Sequence, residues 1–348
     1  MRLLMLAIRY DVDDWATNFI PKWVAKIAEH VTQLDVLALE VGNTGEPPAN
    51  VQIHTMGKAP GVSRARVLAG FYQEAWRLVP RCDAVFVHMI PRYALLVAPL
   101  AVPLRKPITL WYTHRNASKD LKRALPLVKY VATAVQSSFP LETDKLRVLG
   151  HGIDAGFFSP GDVASLSNPT VVHVARLQSI KNQDKLLHAL AHLPENVHAA
   201  IIGALPQGED GGYLDDLHQL QHNLTLAERV TFTGGLSAEH VRRWYRQAVV
   251  AINLSPPGLF DKAALESMAT GTPTIVSNPA FDGLLGEWKD MLRMDYPIEP
   301  TQLATRIEAV MAMPPDERQR MVSTLRENVR IAHSLDELIP RLVNVIKS

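Results

Sequence analysis

Short apolar runs rich in Val, Ile and Leu recur along the whole chain, and each is followed by a stretch of helical periodicity. Strands that read as near-continuous apolar runs are buried on both faces, and strands alternating with helices build parallel sheets with crossover helices. The chain is therefore expected to be α/β. In the first half the predicted strands are 3–8, 34–39, 51–54, 84–88, 108–112, 130–134 and 145–149, with amphipathic helices over 19–30 and 65–78. In the second half strands are predicted at 170–175, 197–203, 230–233, 249–254 and 274–277, and helices at 182–193, 213–223, 238–248 and 262–270. The stretch 159–169, with Gly, Ser and Pro, reads as a linker between the halves. A chain of 348 residues exceeds what one core usually supports, so two domains follow, each doubly wound. Ligands of such sheets bind at the carboxyl ends of the strands, here expected in a cleft between the halves.

Composition agrees with a folded globular chain, with 47% apolar and 20% charged residues. The apolar start at 3–8 is cut short by Arg9, Asp11 and Asp13, which argues for a strand rather than a secretory signal. The apolar run 93–104 is broken by Pro99 and Pro103 and is too short to cross a hydrocarbon layer of about 30 Å. A lone cysteine, Cys82, excludes an intramolecular disulfide and a cysteine-built zinc site, and fits a reducing cytoplasm. Residues 1–154 carry 19 Lys and Arg against 13 Asp and Glu, whereas the remainder carries 17 against 22. A basic first half suits an anionic partner such as a phosphorylated substrate or an anionic lipid surface; no nucleic-acid partner is expected.

Two stretches carry chemistry. In the first, a buried strand ends at Arg176 and a short loop leads to Lys181 at a helix start. Two cations beside free helix-terminal amides make a clamp for a diphosphate, although cations in loops are more often simply solvated. In the second, Pro256, Pro257 and Gly258 force a turn before a helix that places Glu266 among Ala263, Ala264, Leu265, Met268 and Ala269. A carboxylate on so apolar a helix needs a partner. Vicinal ribose hydroxyls supply one, as does an internal Arg or Lys. Asp261 is expected to cap that helix.

The ordered segments ARLQSIKN, AAIIGALP, ERVTFTGGLS and NLSPPGLFDKAALESMATGTPTIVS resemble the C-terminal domain of glycosyltransferase family 4, retaining enzymes of the GT-B fold. The resemblance covers 170 to about 280 in register. It implies a GT-B architecture of two Rossmann-like domains. Residues 1–160 would bind the acceptor and 161–332 the nucleotide-sugar donor, with 333–348 forming a terminal helix that packs back on the first domain. It implies that Arg176 and Lys181 grip the donor diphosphate and Glu266 the ribose, while the backbone around Val230 and Phe232 borders the base and Gly203 lies beside the nucleotide. Amides of Lys262, Ala263, Ala264 and Leu265 are expected to face the phosphates. One departure stands out, since Gly258 occupies the place of the family's first Glu, near the donor sugar.

The first half matches the family less tightly, through ITLWYTHR and LRVLGHGIDAGFFSP. His88, His114 and His151 each follow a predicted strand; His114 is the candidate to touch the transferred sugar or its phosphate, and His88 and His151 are placed on the acceptor side. His173 and His198 read as core residues. Asp11 and Asp13 form an Asp-x-Asp match, but that loop is expected to face the acceptor, with Asp13, Trp15 and Asn18 contacting a sugar, rather than to hold a metal. Arg115, Lys119, Lys122 and Arg123 are spaced for one face of a helix, which suggests a peripheral contact with an anionic membrane surface, beside the plainer reading of a solvated face.

The expected function is metal-independent, retaining transfer of a hexosyl group from a UDP- or GDP-sugar to a glycan, lipid-linked or other hydroxyl acceptor. No cofactor is expected, because the nucleotide sugar is a substrate. A nucleotide-sugar 2-epimerase and a non-catalytic nucleotide-sugar-binding protein remain as alternatives.

Overall fold

A computed structural model describes residues 1–348 apart from Trp15, Ala16, Asn18, Gln207, Glu209 and Asp210. The expected contacts of Trp15 and Asn18 therefore lie outside the described residues. The chain divides into two compact units, Met1–Gly152 with Leu335–Ser348, and Ile153–Ser334. The divide falls earlier than the expected residue 160, because Arg242 lies over the Phe157 ring and Arg246 donates to Ser159 O, tying that stretch to the second unit.

Unit 1 runs β1 (Arg2–Tyr10), α1 (Phe19–Ala28), β2 (Gln33–Val41), β3 (Val51–Thr55), α2 (Arg64–Leu78), β4 (Ala84–His88), α3 (Pro91–Ala101), β5 (Ile108–Trp111), α4 (Lys119–Ala124), β6 (Tyr130–Thr133) and β7 (Leu146–Val148). Its strands form one sheet, β3-β2-β1-β4-β5-β6-β7, in which every pairing is parallel. Successive strand side chains point to opposite faces, so β1 feeds two cores at once. Leu3, Met5 and Ala7 enter the core under α1, and Leu4 and Leu6 the core under α2 and α3.

Unit 2 runs β8 (Thr170–Val174), α5 (Gln183–Leu190), β9 (His198–Ile202), α6 (Gly212–Asn223), β10 (Val230–Gly234), α7 (Ala238–Gln247), β11 (Val250–Asn253), α8 (Lys262–Thr270) and β12 (Thr274–Val276). Its parallel sheet has the order β10-β9-β8-β11-β12. Four further helices follow, α9 (Asp282–Leu285), α10 (Lys289–Leu292), α11 (Pro300–Met311) and α12 (Pro315–His333). α12 packs on α8, and α11 on α5.

The last helix, α13 (Leu335–Lys347), returns to unit 1. Its Leu338, Leu342 and Ile346 stripe is buried with Ile20, Trp23 and Ile27 of α1. Gly152 sits at φ +81 below it, where a Cβ would meet Leu338 Cδ2 at 2.7 Å, so only glycine lets the chain pass.

Each predicted strand is found in one of the two sheets. Helix α3 forms over part of the apolar run 93–104, with Pro91 in its first turn, where the missing N–H costs nothing. Among the described residues no helix is long and apolar enough to cross a membrane. The expected basic helix face is shorter than its spacing suggested. Ser118 Oγ accepts from Leu121 N at 3.1 Å and starts α4 there, so Arg115 falls in the preceding loop, with Lys119, Lys122 and Arg123 left on the exposed helix.

Candidate functional site

In unit 2 the strands β8, β9 and β10 are laid down in one direction from β8 and β11 and β12 in the other, so the strand order reverses between β8 and β11. A crevice at the carboxyl ends of two such strands is where open parallel sheets bind ligands. Arg176 leaves the end of β8, and a single 3-10 turn, Ser179–Lys181, carries the chain to α5. From the other side of the reversal, β11 runs into Leu254 and Ser255, a turn, and then α8.

Lys181 joins the two sides. The residue is 6% exposed; Nζ donates to Asp261 Oδ2 at 2.6 Å and to Ser255 Oγ at 3.1 Å. Ser255 Oγ donates to the same carboxylate oxygen, as does Asn253 Nδ2 at 3.2 Å. Burial pushes the Asp261 carboxyl up, yet the Lys181 charge and the three donors outweigh it and hold it below the usual carboxylate value. Asp261 does stand at the N-cap of α8, but its side chain caps no backbone amide; the expectation of a capping role is corrected, because Lys181 is the stronger partner.

The loop holding these groups is itself fixed by side chains whose role the sequence did not disclose. Asn182 adopts the left-handed conformation at φ +58 and spends its Nδ2 on Leu254 O at 2.7 Å. Gln183, fully buried, donates to Arg176 O at 2.9 Å and accepts from the Tyr213 hydroxyl at 3.2 Å. The Arg176 guanidinium is exposed, with no ion pair or hydrogen bond among the described residues. Beneath Lys181, His173 is 1% exposed and neither ring nitrogen has a hydrogen-bond partner among the described residues. Burial, with the Lys181 charge adding and Asp261 opposing, pushes its pKa down to about 3.

Gly203 ends β9 against the end of β8, where a Cβ would stand 1.8 Å from Ala175 O. Its N–H donates to Gly234 O at 2.9 Å, so the ends of β8, β9 and β10 converge on Gly203. Gly234, rather than Val230, reaches that edge: Val230 opens β10, is buried, and pairs with Ala199 at the far end of β9. The Phe232 ring lies against His218 of α6, with centroids 4.6 Å apart.

On α8, Ala264 and Leu265 are buried and offer only backbone, while Lys262, Ala263 and Glu266 share the half-buried face. Burial pushes the Lys262 ammonium down and the Glu266 charge, one turn on, opposes it, so the internal cationic partner weighed for Glu266 is present. Gly258 has φ +85, Pro257 precedes it, and Leu259 N donates to Pro256 O at 3.1 Å. This is the pattern of a type II turn, in which the third residue is glycine or asparagine.

The unit 1 candidates differ in burial. His88 is buried, ringed by Phe19, Trp23 and Phe86, and His151 is buried as well. His114 is exposed, its Nδ1 accepting from Asn116 N at 3.0 Å. Asp13 is exposed and accepts from Asn43 Nδ2 at 2.8 Å; Asp11 turns inward to Arg9 at 3.4 Å.

Residues 162–328 match the family described as "Glycosyl transferases group 1". A protein named D-inositol 3-phosphate glycosyltransferase from Mycolicibacterium gilvum (strain PYR-GCK) is 31% identical over 230 residues, covering 63% of this chain and 51% of that protein. The protein of the same name from Xylanimonas cellulosilytica is 24% identical over 223 residues, covering 59% and 52%. The chain thus spans about half the length of the curated relatives it matches. Among solved structures, Anabaena HepE in complex with UDP superposes with a TM-score of 0.77 at 18% identity, over 100% of both chains. Sucrose-phosphate synthase from Thermosynechococcus elongatus superposes at 0.76 and 16% identity, over 100% of this chain and 98% of that one. The fold is that of the GT-B glycosyltransferases.

Proposed function

We propose, from the match of residues 162–328 to the family described as "Glycosyl transferases group 1", that the chain is a retaining glycosyltransferase whose unit 2 holds a nucleoside-diphosphate sugar at the reversal between β8 and β11. The observation that carries this reading is the bridge from Lys181 to Asp261 and Ser255, with the uncommitted Arg176 guanidinium on the same loop. Without donor, Asp261 serves as the counter-ion of a buried lysine. An arriving diphosphate competes for that ammonium and adds Arg176 as a second cation. Glu266 accepts the ribose hydroxyls, and Lys262 moderates its charge.

In the reaction the bond from the anomeric carbon to the diphosphate oxygen breaks, and the electron pair stays on the diphosphate. Arg176, Lys181 and the first amides of α8 stabilise that charge where it develops. The acceptor hydroxyl forms the new bond on the same face and passes its proton to the departing diphosphate oxygen. His114, from unit 1, is proposed to contact the sugar or its phosphate. UDP is the first nucleotide to titrate, because HepE was solved with it. Calorimetric titration with UDP and GDP tests donor binding; a panel of UDP- and GDP-sugars with and without an acceptor extract tests the activity. Nucleotide release that requires acceptor supports transfer. Donor interconversion without acceptor would favour an epimerase, and binding without turnover a non-catalytic role.

A further inference from the structure

Unit 1 contains its own reversal of strand order, between β1 and β4, and a cavity of about 630 Å³ opens beside it. The volume lies within the range of small-molecule sites, roughly 300–1,000 Å³. Its floor is the carboxyl end of the sheet, Ile8 of β1, Leu39 of β2 and Met56 just after β3; its walls are Leu68 and Phe71 of α2 and Leu96 of α3. The lining is mostly apolar, and two of these side chains, Ile8 and Leu68, are 42% exposed. The charges at this cavity are unbalanced. Arg92 is taken by Asp120 at 2.9 Å, which neutralises both. Lys58 and Arg64 also line it, both exposed, and neither has an ion pair or side-chain hydrogen bond among the described residues.

A greasy cavity with two unpaired cations at its edge complements a molecule that is apolar at one end and anionic at the other. We propose that this cavity binds an amphiphilic phosphate, the phosphate ester of a long-chain alcohol, with its tail among Leu39, Leu68 and Leu96 and its phosphate at Lys58 and Arg64. The inference rests on the reading of the chain as a glycosyltransferase and names the class of amphiphile that would carry its acceptor hydroxyl. Burying the tail contributes about 25 cal/mol per Å² of apolar surface, and the cations select the anion over a neutral amphiphile.

The test is calorimetric titration of the whole chain with dodecyl phosphate below its micellar concentration, with no nucleotide present. Dodecyl maltoside supplies the tail without the charge, and inositol 3-phosphate the phosphate without the tail. One dodecyl phosphate per chain is expected, at least tenfold tighter than either comparison compound, with a negative heat-capacity change. The double variant Lys58→Gln/Arg64→Gln is expected to lose that selectivity over dodecyl maltoside. Leu68→Glu, at an exposed position and with folding checked by circular dichroism, is expected to weaken dodecyl phosphate at least tenfold. Equal affinity for inositol 3-phosphate would overturn the proposal, as would unchanged binding in either variant. UDP titrated into the same samples separates the two readings. UDP binding without dodecyl phosphate binding removes the acceptor class alone, and the reverse outcome removes the donor site.

Discussion

Lys181 Nζ and Asp261 Oδ2 stand 2.6 Å apart across the point where the strand order of unit 2 reverses, although the two residues are far apart in sequence. The lysine side chain is nearly inaccessible and the aspartate side chain about a quarter exposed. Removing one member leaves the other charge without its counter-ion, which for a buried pair costs about 3–5 kcal/mol, less here for the exposure of Asp261. Asp261→Asn is therefore expected to destabilise by about 2–3 kcal/mol, and the double variant Lys181→Met/Asp261→Asn by less than the single one. Urea unfolding of the four proteins in the cycle reads this directly; additive losses would mean that the pair is not coupled.

His173 sets an acid limit. Its folded pKa of about 3 lies below the usual 6.5, so the unfolded chain binds a proton that the folded chain refuses. Stability conferred by this residue is full above about pH 6.5 and falls as pH drops from there towards 3, by an amount on the order of 5 kcal/mol at about 1.4 kcal/mol per pKa unit. Asp261, with its lowered pKa, adds loss in the same direction, below the usual carboxylate range. His173→Gln is expected to flatten the curve of unfolding free energy against pH through this window. An equally steep curve in the variant would assign the acid sensitivity elsewhere.

Arg176→Ala is expected to reduce nucleotide-sugar turnover by roughly two to three powers of ten while leaving the melting temperature unchanged, because the guanidinium is exposed and holds nothing else in place. Turnover near that of the unmodified chain would exclude a role in stabilising the leaving diphosphate.

Gly258 permits a direct comparison with the family pattern. Placing glutamate there forces a side chain into φ +85, where a β-carbon costs roughly 1–2 kcal/mol. Gly258→Glu is expected to lower the melting temperature, and Gly258→Asn to lower it less, since asparagine tolerates that conformation. Equal stability of all three would show that the turn adapts.

Gly203→Ala is the sharpest steric test. The new methyl would meet Ala175 O at 1.8 Å, and that oxygen belongs to backbone that cannot rotate away. The ends of β8 and β9 must separate, at a cost of about 2 kcal/mol or more, and UDP affinity should fall with stability. Thermal unfolding and calorimetry on the same sample check both.

The two sheets were legible in the sequence because fully buried parallel strands are written as short unbroken apolar runs, as in Leu3 to Ala7, that recur with helical segments between them. Arg176, Lys181 and Glu266 were legible as types of residue at strand ends and on an apolar helix. Their partners were not. Asp261 looked like a helix cap because position dominates local reasoning, whereas its carboxylate answers to a lysine brought from another strand. Gln183 and Asn182 gave only a weak signal, polar residues at a helix start, and their work on Arg176 O and Leu254 O depends on where two separate loops end. Val230 shows the converse limit: a motif fixes a strand, but only the direction of that strand in the sheet says which end meets a ligand.

Helix α13 makes the fold of unit 1 discontinuous in the chain. A polypeptide made from its N-terminus has every residue of unit 2 in hand before Leu338, Leu342 and Ile346 emerge to close the face occupied by Trp23 and Ile27. Until then that apolar face is open, so a chain cut short after residue 334 and released would carry one complete unit and another that chaperones should still recognise.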